Sequence, residues 1–254
     1  MKSKQKTSFL QWNKNVLGNS IKRIDFSIIW IIILDLLFYL SSGFLLVLWR
    51  RRIEAIMSGF NLPPDVSALG FEAAQQLTGE IKKLYYLIAF SVILVLLSII
   101  LLASIFKGII WAKTTKTRIS FSMISRFLGL NLIWMAAWAL ILFLIVYLVQ
   151  IQLVRLFMVI ALAASIYFTG TLYSLFTKRQ RLSCIFDAIR INVTKIHMLA
   201  VPYAAVFLLA LLILGIGNWL QFQYSAFAVG FILVVYAAFA RYYASELALE
   251  LSNM

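Results

Sequence analysis

The chain has 254 residues, 63% of them hydrophobic, and a net charge of +14. That apolar share lies above the roughly 45–50% of soluble domains and argues against an ordinary water-soluble globule. With one His, one Cys and nine Asp or Glu, little is left for a zinc site of three or four protein ligands or for a carboxylate-rich two-metal centre.

The predicted elements begin with a basic N-terminal arm carrying Lys2, Lys4, Lys6, Lys14, Lys22 and Arg23. Within it, "FLQWNKNVLGNSIKRI" places Leu10, Leu17, Ile21 and Ile24 at helical spacing, which predicts an amphipathic helix lying at a membrane interface. The first long apolar run, 26–49, follows. About 20 apolar residues suffice to cross ~30 Å of hydrocarbon. Further runs cover 84–106, 127–149, 156–176, 198–220 and 224–243. The first run follows 25 mostly polar residues and is too long for the ~7–15-residue core of a cleaved signal, so it is expected to be retained. No stretch outside the runs reaches the ~50 residues of a small soluble domain. The expectation is an all-α, polytopic protein: a single integral membrane domain, 1–254, with six spans.

Between spans one and two, segment 50–83 is expected to form a helical cap on the outer face. Pro63 and Pro64 break it, because the residue before proline avoids the helical region. Asp65 is a good N-cap type. Val66, Leu69, Ala73, Leu77, Ile81 and Leu84 then keep helical spacing, while Ile53, Ile56 and Phe60 extend the first helix.

Two later stretches resemble the N-terminal arm in pattern. "RISFSMISRF" precedes span three, with Phe121, Ile124 and Leu128 on one side and Ser122, Ser125 and Arg126 on the other. "RLSCIFDAIRINVTKI" precedes span five, aligning Leu182, Ile185, Ile189, Val193 and Ile196 against Asp187, Arg190 and Lys195. The chain therefore reads as three repeats of an interfacial amphipathic helix plus a helical hairpin.

The unit "R-I-S-F-S…S-R-F", or "R-L-S…D-A-I-R-I-N-V-T-K", resembles a family of uncharacterised six-helix prokaryotic membrane proteins. That group is similar to the membrane domain attached to some glycerophosphodiester phosphodiesterases. The resemblance covers roughly residues 106–214. It implies the six-helix architecture and brings no catalytic residue with it; the phosphodiesterase domain is not in this sequence.

Lys and Arg distribute unevenly. One predicted side holds 17 of the 23, including Lys107, Lys113, Lys116, Arg118, Arg126, Lys178, Arg179, Arg181, Arg190, Lys195 and Arg241. The other holds six: Arg50, Arg51, Arg52, Lys82, Lys83 and Arg155. The bias places both termini in the cytoplasm, and the resemblance implies a prokaryotic plasma membrane. Lys22, Arg23, Arg118, Arg126, Arg181 and Arg190 are expected to meet anionic headgroups, at about 1 kcal/mol per residue near the surface. The lipid bilayer is the first expected partner, and a membrane protein partner or a second copy of the chain is a further one. Nucleic acid is not expected, because the basic residues follow membrane topology.

Catalytic motifs are missing. There is no His-Glu-x-x-His, no Cys-x-x-Cys, no phosphate-binding Gly-x-x-x-x-Gly-Lys-Ser/Thr loop and no Gly-x-Ser-x-Gly elbow. His197 stands alone, and an aspartyl dyad needs two carboxylates. No catalytic residue, metal or cofactor is expected.

The one carboxylate inside a predicted span is Asp35, in "WIIILDLLFYL". Insertion remains favourable: a central Asp costs ~3 kcal/mol, and the surrounding Leu, Ile, Phe and Val return ~0.3–0.6 each. Ionisable residues inside membranes face a bundle interior or cavity. Counting inward from the span ends puts Ser98, Trp134, Tyr167 and Tyr236 at the depth of Asp35. The candidate polar site is therefore Asp35 with Ser98, Tyr167 and Tyr236, expected to hold a neutral carboxyl in a net of hydroxyl donors. Two readings remain open. One is helix-packing glue in a non-enzymatic scaffold or accessory subunit. The other is a proton- or ion-coupled site in a small permease or lipid-handling protein.

Overall fold

The computed structural model describes residues 9–59, 71–219 and 224–252. Among them lie eight helices and no strand: α1 (Phe9–Arg23), α2 (Ser27–Ser58), α3 (Phe71–Thr114), α4 (Phe121–Leu148), α5 (Ile151–Arg179), α6 (Cys184–Thr194), α7 (Ile196–Trp219) and α8 (Ser225–Ser252). The six long ones, α2, α3, α4, α5, α7 and α8, are apolar and long enough to span a bilayer. The all-α polytopic expectation holds.

The helices overrun the apolar runs. α3 has 44 residues, about 66 Å at 1.5 Å per residue, against ~30 Å of hydrocarbon. Hydropathy marks where a helix leaves lipid, whereas backbone hydrogen bonding continues until a breaker intervenes. α2 accordingly runs on through Ile53 and Ile56, and α3 begins well before Leu84. The expected cap over 50–83 is thus largely helix extension; Phe60, Pro63, Pro64, Asp65, Val66 and Leu69 fall outside the described residues.

The chain forms two compact units, residues 1–36 with 104–254, and residues 37–103. The second is a hairpin of the α2 stretch from Leu37 onward and the α3 stretch up to Ala103. Trp49 Nε1 donates to Ser91 Oγ at 3.1 Å, and Arg50 pairs with Glu54 one turn on at 2.6 Å. None of its described residues is buried.

In the first unit the core gathers near the end that carries α1. Phe127, Leu130, Leu172, Leu175 and Phe176 pack with Cys184 and Ala188. Trp12 and Val16 of α1 pack on Leu247 and Leu251 of α8 and Leu199 of α7. Across described residues 135–170 and 200–237, only Ala161 and Pro202 are buried. Those stretches expose Leu, Ile and Phe, the arrangement of a protein whose solvent is hydrocarbon.

Two of the three expected interfacial helices form separately, α1 and α6. Each turns small or polar residues inward: Ser20 beside Trp12 and Val16 in α1, and Cys184, Ala188 and Asn192 in α6. Most of the apolar stripes read from sequence lie outward instead, with Leu10, Leu17, Ile21, Leu182, Ile189 and Val193 exposed, whereas Ile24 and Ile185 pack against the core. The third expected helix does not exist as one. Ser120 N-caps α4, its hydroxyl accepting from Met123 N at 3.1 Å, and no breaker separates Phe121 from the span. The core face of α4 is Met123, Phe127, Leu130, Asn131 and Trp134, so the expected side of Phe121, Ile124 and Leu128 is not the buried one. α6 does separate from α7, because Lys195 leaves the helical region (φ −113°, ψ 26°) before Ile196 restarts it.

Candidate functional site

Asp35 sits eight residues into α2, about 12 Å from its start. Its side chain is fully buried. Lys107 Nζ of α3 donates to Oδ1 at 2.7 Å, and Arg241 Nη1 of α8 donates to Oδ2 at 2.5 Å. Each carboxylate oxygen thus holds one cation, and three helices meet at one side chain. Ile31 and Ile110, each about one turn from Asp35 and Lys107, pack with Ala238 and Tyr242 of α8 in an apolar cluster. Isolating a charge from water costs several kcal/mol, so Asp35 is tolerable there only with such partners.

This arrangement corrects the sequence reading. Lys107 and Arg241, counted from sequence with the basic residues of one membrane side, lie inside helices and supply the counter-charges. The expected hydroxyl donors go elsewhere. Ser98 donates to Leu94 O of its own helix at 2.8 Å. Tyr167 donates to Asn192 O at 3.0 Å, and Tyr236 to Val206 O at 2.6 Å. Trp134 Nε1 donates to Thr169 Oγ1 at 2.8 Å. Contacts with Lys107 and Arg241 therefore stand where a net of hydroxyl donors was expected. A signal for it existed in the sequence. After Lys107 come Ile109, Ile110, Trp111 and Ala112, and after Arg241 come Tyr242, Tyr243 and Ala244. Apolar character continuing past a lone cation marks a buried cation rather than a span end.

A second polar system, which the residues alone did not disclose, joins the other helices. Asn131 Nδ2 of α4 donates to Ser104 Oγ of α3 at 2.9 Å. Tyr173 OH of α5 donates to Asn131 Oδ1 at 2.5 Å. Thr115 Oγ1 donates to Thr177 Oγ1 at 3.2 Å, and Thr171 Oγ1 to Asn192 Oδ1 at 2.9 Å. Interhelical bonds of this kind average about 0.6 kcal/mol in membranes. Ser104 and Lys107 stand one turn apart on α3, so that short segment ties α2 and α8 on one side and α4 on the other.

Of the residues expected at headgroups, Lys22, Arg118, Arg126, Arg181 and Arg190 are exposed. Arg23 is instead half-buried in an ion pair with Glu246. Outside the spans, Lys116 pairs with Asp25 at 2.9 Å and holds its carboxyl down at about 2, helped by the Ser27 amide. Cys184 is fully buried and its thiol is pushed up by burial. His197 lies exposed in the first turn of α7. Among the described residues no three His, Cys, Asp or Glu gather as metal ligands. Chemically, the arrangement can hold helices together through ion pairs and interhelical hydrogen bonds. No protein family, curated protein or solved structure matches this chain.

Proposed function

We propose that the protein is a non-enzymatic membrane scaffold or accessory subunit. The observation that carries this reading is the double pairing of Asp35 by Lys107 and Arg241. A carboxylate that binds and releases a proton or cation in each transport cycle needs a changeable partner and access. Here both oxygens are occupied by fixed side chains and the carboxylate is sealed from solvent. The charge is used to position three helices. The protein sits in a prokaryotic plasma membrane with both termini in the cytoplasm, and α1 and α6 rest on anionic headgroups through their exposed Lys and Arg. The outward apolar stripes of these two helices support that placement. They also support the repeat reading in its first and third units. A membrane protein partner or a second copy covers part of the exposed apolar surface.

Reconstitution tests the reading. In liposomes carrying a pH or cation gradient, the protein is expected to add no flux above empty vesicles, and mild-detergent extraction from its own membrane is expected to bring down one partner in fixed ratio. Flux that Asp35→Asn abolishes while the fold survives would replace the scaffold with the permease.

A further inference from the structure

The chain breaks between α6 and α7 where its own sequence gives no reason to. The stretch "RINVTKIHML", 190–199, holds neither glycine nor proline, the residues that ordinarily end or sharply kink a helix. Thr194 bonds back to Arg190 O at 2.7 Å, which bends a helix slightly but does not end it. Yet Lys195 leaves the helical region. The remaining cause of a break is a side chain inserted into the backbone ladder.

One is present. In a continuous helix Asn192 O accepts from the amide four residues on, that of Ile196. Here the ladder of α6 ends with Lys195 N donating to Ile191 O at 2.9 Å, and α7 opens with Met198 N and Leu199 N donating to Lys195 O. Asn192 O accepts instead from Tyr167 OH of α5 at 3.0 Å. One turn along the same face of α5, Thr171 Oγ1 donates to Asn192 Oδ1 at 2.9 Å. Both Thr171 and Asn192 are fully buried. Two residues of α5 thus hold the backbone and the side chain of one residue of α6.

We infer that Tyr167 and Thr171 form a latch on Asn192, and that the junction 192–196 is a joint. Latched, α6 and α7 are two helices. Released, the ladder closes across Lys195 and α6 comes into line with α7. Opening exchanges the Tyr167 hydroxyl for the Ile196 amide on the same carbonyl, so hydrogen bonding is nearly conserved between the two states. The packing of Cys184 and Ala188 with Leu172, Leu175 and Phe176 favours the latched one. α6 carries the exposed Phe186, Ile189, Arg190 and Val193, and the joint sets the angle at which that surface is offered. It stands whether or not the scaffold reading does.

Residue-resolved amide hydrogen exchange in nanodiscs reads the joint directly. In wild type the Ile196 amide is expected to exchange at least about tenfold faster than those of Lys195 and Leu199, which are bonded. Tyr167→Phe/Thr171→Val removes both hydroxyls and keeps the side-chain shapes. In that variant Ile196 is expected to gain about tenfold in protection as its amide takes over Asn192 O. Tyr236→Phe is the control, since it deletes a tyrosine bond to Val206 O elsewhere on α7 and should leave Ile196 unchanged. A residue that only packs would lower stability without protecting that one amide. If the double variant does not fold, Tyr167→Phe alone predicts a smaller gain in the same direction. A wild-type Ile196 amide as protected as that of Lys195, or no gain at Ile196 in the folded variant, overturns the proposal.

Discussion

Asp35 shows how far a single residue can be read from its neighbours in sequence. Its place in a run of Ile and Leu announces a buried polar tie, because a carboxylate there has to face protein. Its partners are another matter. Lys107 and Arg241 come from helices 72 and 206 positions away, and nothing local reports which faces those helices turn inward. Two other residues give tests at this scale. Lys116 holds the Asp25 carboxyl at about 2, below the usual range. A carboxylate lowered in the folded state stabilises above its unfolded value and loses that contribution as pH falls through the folded one. Thermal stability in nanodiscs should therefore show an Asp25-dependent loss only as pH drops from about 4 to about 2, absent in Asp25→Asn, and small because both side chains are over 40% exposed. Cys184 lies in the core beside Leu175 and Phe176 with its thiol pushed up. Folded protein should react with a maleimide far more slowly than protein in denaturant; equal rates would put the thiol outside the core.

At the scale of elements, the existence of all six spans was legible, because ~20 apolar residues in a row leave few alternatives. Their ends were not. α2, α3 and α8 each continue beyond the last apolar residue of the run, since solvated helix and buried helix share one backbone pattern. The stretch before α4 was misread for a related reason: periodicity marks a helix but not where a new one starts. That boundary is set by capping. Ser120 supplies the N-cap acceptor, and Ser120→Ala should cost about 1 kcal/mol, seen as a lowered melting temperature, whereas Ser120→Asp should retain stability. Packing between α7 and α8 depends on Gly217, where an added Cβ would strike the Val229 side chain. Gly217→Ala is expected to destabilise by about 1–3 kcal/mol through overpacking, with Gly217→Ala/Val229→Ala recovering most of it. A neutral effect of Gly217→Ala would mean the two helices do not approach closely there.

Within the first unit, the fully buried polar ties share one region. The Asp35 cluster, Asn131 with Ser104 and Tyr173, and Thr115 with Thr177 all lie where the apolar core of the first unit gathers. The remaining helix lengths offer apolar side chains to their surroundings. In hydrocarbon, Leu on Leu gives little net drive to associate, so buried polar ties carry a larger share of helix specificity than they do in water. Composition and hydropathy made the membrane class legible. The polar system was illegible because Asn, Ser, Thr and Tyr are common within spans and become informative only once their faces are known. The account's central claim is that Asp35 acts as a structural counter-charge. It is tested most directly by a double-mutant cycle of Asp35→Asn and Arg241→Gln, reading stability in nanodiscs. Asp35→Asn removes the carboxylate that Lys107 and Arg241 share and should cost about 3–5 kcal/mol; with Arg241→Gln added, the combined loss should fall well short of the sum of the single losses. Additive losses, or an Asp35→Asn variant as stable as wild type, would contradict the claim.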